Sequence, residues 1–295
     1  MTAKEIKQLK ELREILLNGD LTRDYWSPER LRLYHVTLGE RIGWKWDSVL
    51  RELEALGVQW PRHVIDWGCG SGVASVRVTR AVGGPISHQA FDRNPLCEAM
   101  TRENLRAAAT NVTFETGALK WDGALVVLSH VISELTPVAL QSLVKDLKRT
   151  AMVIWVEPGE KRSSERLLGV REELRGHFSV VAPCTHQKAC PLAGQSSAWC
   201  HQFAEVPSIA FQDRAWSEWA KWLGIDLRSL PVSYLVLGAE GGASGARVIG
   251  RPRLRGGHAL VTSCGAEGLK LDTVTKADKP VFQALKENPF RLILK

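Results

Sequence analysis

Three groups of residues in this 295-residue chain could do chemistry. The first is Asp66-Trp67-Gly68-Cys69-Gly70-Ser71-Gly72, an acid followed by alternating glycines. Glycine tolerates positive φ and has no side chain to hold a ligand away, so such a turn lets the backbone approach a bound molecule closely. The second group is Cys184, Cys190 and Cys200 in one loop-like stretch, with Cys264 further along. Four thiolates suit either tetrahedral zinc or an iron–sulfur cluster. The third is Arg247, Arg251, Arg253, Arg255 and His258, in a run from Gly241 to Ala266 that holds no acid. Arg251, Arg253 and Arg255 recur at period two, so an extended segment would show them on one face. That face reads either as a phosphate contact or as a solvated basic edge.

The glycine loop follows the apolar Val64-Ile65 and precedes a helical pattern, which makes it a strand, a tight turn and a helix start. A dinucleotide fingerprint needs its third glycine three places after the second, where this chain has Val73. The spacing is instead that of S-adenosylmethionine-binding methyltransferases. In that reading Asp66 organises the turn and the loop wraps the methionine end of the cofactor. A second acid, closing the next strand, takes the ribose hydroxyls, and Asp92 stands there. Ligands of open α/β sheets sit beyond the carboxyl ends of the strands, so Ser129, His130 and Glu157-Pro158-Gly159 should face the cofactor or the methyl acceptor. The candidate cofactor contacts are Asp66, Gly68, Cys69, Gly70, Gly72, Asp92, Arg93, Ser129 and His130, with Cys69 and Cys97 also fitting a packing role. No catalytic residue is assigned. An amine methylase's Asn/Asp-Pro-Pro-aromatic is replaced by Ser-His-Val-Ile, and the Pro183-Cys184 dipeptide of a cytosine methylase falls within the cysteine group. His130 is a candidate general base by its titration range, or simply a hydrogen-bonded strand-end histidine.

Those cysteines lack the paired CxxC knuckles of structural zinc sites and the CxxxCxxC of radical enzymes. Their wider spacings, with Pro183 and Pro191 beside two of them, suit a larger cube-shaped cluster better than one ion. His186 and His201 are possible substitute ligands, and reduced packing cysteines are the plain alternative. A formal charge of +7 and a pI of 9.2 favour a polyanionic partner. Without an apolar run of membrane length or a signal-peptide core, the expected compartment is the cytoplasm, where thiols stay reduced.

The elements that must position these groups follow from periodicity. Ile6, Leu9, Leu12, Ile15 and Leu16 predict an amphipathic helix over 4–17. Ser27-Pro28-Glu29 reads as a capped helix start, and a further helix is predicted over 45–56. From residue 63 strands alternate with helices, which implies a parallel sheet covered on both faces. Its strands are predicted at 63–68, 87–92, 112–116, 124–129 and 151–156. A tryptophan-rich helix follows the cysteines, and strands at 233–237, 246–249, 259–263 and 269–275 predict a small antiparallel sheet. The fold class is α/β, a Rossmann-like S-adenosylmethionine-dependent methyltransferase fold. Its expected parts are a helical segment over 1–60, the cofactor domain over 61–178, and a cysteine-cluster and basic β extension over 179–295.

These motifs, taken together, resemble the methyltransferase-like assembly factors of the small ribosomal subunit, found in bacteria and mitochondria. The resemblance rests on Tyr25-Trp26-Ser27-Pro28-Glu29-Arg30, Asp66 to Gly72, Leu128-Ser129-His130, Glu157-Pro158-Gly159, Ala182-Pro183-Cys184-Thr185-His186, Cys190-Pro191, Trp199-Cys200-His201, and Gly257-His258 with Cys264. It implies a 4Fe-4S cluster, with zinc as the alternative, on Cys184, Cys190, Cys200 and Cys264. It also implies small-subunit ribosomal RNA, or the assembling subunit, as partner. Two functions fit: a methyltransferase acting on that RNA, and a non-catalytic iron–sulfur factor that binds it.

Overall fold

The computed structural model describes residues 2–18, 25–195, 197–287 and 289–294. Helix α1 (Ala3–Asn18) buries Leu9 and Leu12 along its apolar stripe. Ser27 caps α2 (Pro28–Tyr34) by accepting from the Arg30 amide at 3.2 Å, and Pro28 fits the first turn because its missing N–H would have no partner there. A π-helical turn, His35–Gly39, leads into α3 (Glu40–Ala55), which starts before the predicted residue 45. That turn touches the glycine loop, with His35 Nδ1 3.1 Å from Ser71 Oγ.

The alternating region forms β1 (His63–Trp67), α4 (Val73–Val82), β2 (Ile86–Phe91), α5 (Pro95–Ala108), β3 (Val112–Phe114), β4 (Leu125–Ser129), α6 (Pro137–Leu147), β5 (Met152–Pro158), α7 (Lys161–Leu174) and β6 (Ser179–Ala182). After the cysteine loop come β7 (Gln202–Phe203), α8 (Ile209–Gln212), α9 (Arg214–Leu223) and β8 (Pro231–Gly238). The main sheet has the order β3-β2-β1-β4-β5-β8-β6, with β7 on β8. Strands β1 to β5 are parallel, whereas β8 runs antiparallel to β5 and β6. This is the expected Rossmann-like methyltransferase fold, and strand order reverses between β1 and β4.

One placement corrects the sequence reading. Residues 233–237 lie in β8 of the main sheet, not in the small antiparallel sheet. The reason is burial: Val232 through Leu237 are buried on both faces, and their near-continuous apolar run is that of an interior strand rather than a half-exposed one. The main sheet therefore crosses residue 179, drawing β6 and β8 from beyond it.

Side chains alternate across this sheet into two cores. Val64, Val127, Ile154 and Val236 face Trp44, Trp46 and Val78 of α3 and α4, while Ile65, Val126, Val153 and Trp155 face Leu143, Leu147, Leu167 and Leu174 of α6 and α7. The small sheet, β11-β10-β9-β12, comprises β9 (Ala246–Leu254), β10 (His258–Gly265), β11 (Gly268–Thr275) and β12 (Ile293–Leu294). Helix α10 (Lys279–Glu287) closes its own core through Phe282 and Leu285. A buried polar knot joins it to the body: Arg247 of β9 and Tyr234 of β8 both donate to the Glu52 carboxylate of α3.

Candidate functional site

The carboxyl ends of β1, β2, β4 and β5 surround a cavity of about 720 Å³, within the usual size of small-molecule sites. Its position at the reversal of strand order is where open α/β sheets bind ligands. The glycine loop forms one wall through Gly68, Cys69, Gly70 and Ser71. Gly70, at φ +52°, has open space where a Cβ would stand, so its backbone faces the cavity directly. Gly68 and Gly72 are needed for packing instead. A Cβ on Gly68 would come within 2.5 Å of Val131 Cγ1, and one on Gly72 within 2.8 Å of Thr101 Cα.

Asp92 is placed as the sequence expects. It lines the cavity, and its carboxylate accepts from the Gly70 amide and the Asn94 amide, both at 3.0 Å. Burial raises its pKa, while the two backbone donors lower it. Arg93, Ser129, His130 and Pro158-Gly159 also line the cavity. Asp66 does not. It is fully buried beneath the loop, accepts from Ser75 Oγ of α4, and is pushed up to about 7 by burial. Ser75 Oγ also lies 2.9 Å from His88 Nε2, so Asp66 braces the strand–helix crossing. Glu157 likewise turns away, accepting from the amides of Val131 and Ile132 at 3.0 and 2.9 Å and from Trp155 Nε1 at 2.6 Å. These bonds hold the loop that carries His130.

Two ionisable groups of the cavity escaped the sequence reading. Lys45 of α3 is buried against it, with Nζ 3.3 Å from His130 Nε2. Burial first, and then Arg41, brings Lys45 down to about 7, and burial holds His130 well below its usual range. His130 has φ +59°, the one positive φ outside glycine among the described residues. Such backbone persists only where its surroundings enforce it. Glu134 also lines the cavity and is pushed up to about 7 by burial. Neither had a local signal: Lys45 sits in an ordinary amphipathic helix, and its burial depends on the packing of α3 across the sheet.

The four predicted cysteines fall in two packing groups. Cys190, Cys200 and Cys264 pack with Ile249, Leu192 and Leu269, while Cys184 lies against the α7 side of the main core. Burial raises the Cys200 thiol, and the neighbouring Cys184, Cys264 and Cys190 raise it further. Arg171 of α7 is buried and donates from Nε to Cys184 Sγ at 3.2 Å, and from Nη2 to the Lys188 carbonyl at 2.9 Å. A thiol set in an apolar pocket with a cation beside it fits an anionic thiolate-held cluster. Among the described residues no group of three or more His, Cys, Asp or Glu side chains is arranged to hold a metal ion. His186 Nε2 is 3.9 Å from Cys264 Sγ, and His201 points elsewhere, stacking on Trp199.

The basic run divides. Arg247 is buried on Glu52 and is no phosphate contact, whereas Arg251, Arg253 and Arg255 are exposed. Gly250 has φ +68°, and Arg251 lies over Phe203 at 4.3 Å.

The family model described as mitochondrial small ribosomal subunit Rsm22 matches residues 40–290. The chain belongs to the Rsm22 family. Among solved structures, this Rsm22-family chain is similar to magnesium protoporphyrin IX methyltransferase of Synechocystis, solved with bound SAM. They share 12% identity over 79% of this chain and 97% of that one, with a TM-score of 0.41. A SAM-dependent methyltransferase of Aquifex aeolicus shares 17% identity over 54% and 92%, TM-score 0.39. Precorrin-6y C5,15-methyltransferase of Geobacter metallireducens shares 16% over 64% and 86%, TM-score 0.38. No curated protein sequence matches the chain. No described helix is long and apolar enough to cross a membrane.

Proposed function

We propose that this Rsm22-family protein binds S-adenosylmethionine and acts on small-subunit ribosomal RNA during subunit assembly, with a 4Fe-4S cluster on Cys184, Cys190, Cys200 and Cys264. The observation that carries the cofactor half is the Gly70–Asp92 contact at the edge of the switch-point cavity. It holds an acid where ribose hydroxyls need one and leaves a bare backbone where the methionine end needs space. Lys45, brought down to about 7 by burial and standing 3.3 Å from His130, supplies a nitrogen base able to take a proton from a methyl acceptor. Family membership supports the ribosomal partner. The wide cysteine spacings, without paired CxxC knuckles, and the buried Arg171 beside Cys184 favour a larger anionic cluster over zinc. A reducing compartment such as the cytoplasm suits the reduced thiols that such a cluster needs.

Calorimetric titration with S-adenosylmethionine tests the first half: wild type should bind, and Asp92→Ala should lose most of that affinity. Anaerobic incubation with labelled cofactor and immature subunits tests transfer. Label in ribosomal RNA is expected, and binding without label would leave the protein a non-catalytic RNA-binding factor. For the cluster, broad absorption near 400 nm with about four irons per chain is expected. One zinc and no colour would reject it.

A further inference from the structure

Between the two sites runs a feature that neither uses. Residues 199, 201 and 203 alternate along β7 and its approach, so their side chains share one face while Cys200 and Gln202 turn inward. Trp199 and His201 stack, with ring centroids 4.9 Å apart and planes 20° from parallel. His201 meets Phe203 edge-on at 5.4 Å, and the Arg251 guanidinium covers Phe203 at 4.3 Å. Each of the three rings is partly exposed, and Arg251 is exposed.

Both ends of this row are anchored to something. At one end Trp199 Nε1 donates to the Gly159 carbonyl at 3.0 Å, and Gly159 is part of the cavity wall. At the other, Arg251 Nη2 donates to Ser229 Oγ at 3.0 Å, also on the cavity rim, and the chain continues to the exposed Arg253 and Arg255. The acid nearest Arg251, Asp226, is held by the Arg228 amide at 2.9 Å. A row of partly exposed rings, one pair stacked and one edge-on, beside the exposed Arg251, Arg253 and Arg255 and with no acid between Gly241 and Ala266, matches the chemistry of unpaired bases on a phosphate backbone.

We propose that Trp199, His201, Phe203 and Arg251 form a stacking track for single-stranded RNA, which leads from the basic turn at Arg253 and Arg255 to the mouth of the cavity. The proposal rests on the RNA reading above and gives it a place. Bases stack on the rings and on the Arg251 plane, and the arginines beyond hold phosphates. A duplex offers no free base face, so the track selects unpaired segments.

The test uses the full-length protein and a fluorescein-labelled uridine dodecamer, read by anisotropy across salt concentrations. Phe203→Leu keeps apolar volume but removes a stacking face, and should weaken binding about tenfold. Arg251→Lys should weaken it with an unchanged salt slope, because the charge stays and the plane is lost. Arg253→Gln with Arg255→Gln should lower the salt slope by about 1.4, two phosphates at roughly 0.7 each. A 4-thiouridine version of the oligonucleotide should crosslink to peptides spanning 199–203 and 251–255. Unchanged affinity in Phe203→Leu, equal affinity for duplex RNA, or crosslinks confined elsewhere would overturn the track. S-adenosylmethionine titration of the Phe203→Leu and Arg253→Gln/Arg255→Gln proteins runs alongside. Wild-type cofactor affinity there separates a failed track from a failed cofactor site.

Discussion

The cofactor cavity and the cysteine pocket lie in one chain but are built on opposite terms. The cavity is finished by its own backbone: Asp92 is held by two amides, Glu157 by two amides and an indole, and the glycine turn by strand β2. In the cysteine pocket burial first, and then the neighbouring thiols, raises Cys200 and Cys264, and Arg171 turns toward Cys184. A site closed by hydrogen bonds needs no ligand to hold its shape, whereas the cysteine pocket, if it holds the proposed cluster, depends on that cluster to discharge its thiolates.

The largest effect should come from removing a proposed ligand. Cys264 joins β10 to the loop carrying Cys190 and Cys200, so Cys264→Ser should destabilise the small sheet by several kcal/mol through loss of metal-linked folding energy. Limited proteolysis should then cut within 246–275 while affinity for S-adenosylmethionine persists. Equal protease resistance and melting temperature would reduce these cysteines to packing residues and erase the contrast between the regions.

The next effect concerns the joint between them. Glu52 and Arg247 are 3% and 3% exposed, and removing one charge strands the other. Glu52→Gln should cost about 3–5 kcal/mol in urea unfolding, and pairing it with Arg247→Met should recover much of that. A small penalty in the single variant would mean that the small sheet docks without this knot.

Much of this arrangement was legible before any coordinates. The glycine turn, Asp92 and the cysteine group carry local signals, because turn geometry and ligand chemistry restrict residue type at fixed spacings. Three things were not legible, and each is a matter of partner rather than pattern. Arg247 looks like its neighbours at 251, 253 and 255 until Glu52 arrives from α3. Strand β8 looks like the start of a small sheet until β5 and β6 enclose it. Asp66 sits where a cofactor ligand is expected, yet its side chain points to Ser75.

That last placement gives a pH test of the cavity's foundation. Native Asp66 keeps its proton to about pH 7, whereas in the unfolded chain it is lost near its ordinary value of about 4. Its contribution to stability is therefore full below about pH 4 and is lost as pH rises through 7. Glu134 and Glu157 act in the same direction. Asp66→Asn should flatten the decline in urea midpoint between about pH 4 and 7, an effect of roughly 2 kcal/mol after allowing for the Ser75 bond. An identical decline in both proteins would place the titrating proton elsewhere.

A further contrast separates two glycines that the sequence presents as equivalent. Both have positive φ, so alanine at either strains the backbone by about 1 kcal/mol. At Gly72 the added methyl also meets Thr101 Cα, which is backbone and cannot swing aside, so Gly72→Ala should cost about 2–3 kcal/mol in thermal unfolding. Gly70→Ala meets no atom within 4 Å and should unfold almost as wild type does. Its methyl enters the cavity beside Asp92, so its loss should appear in the affinity for S-adenosylmethionine instead. If Gly70→Ala binds the cofactor as wild type does, the loop does not wrap the ligand, and the cavity's resident lies against Lys45 and His130 instead.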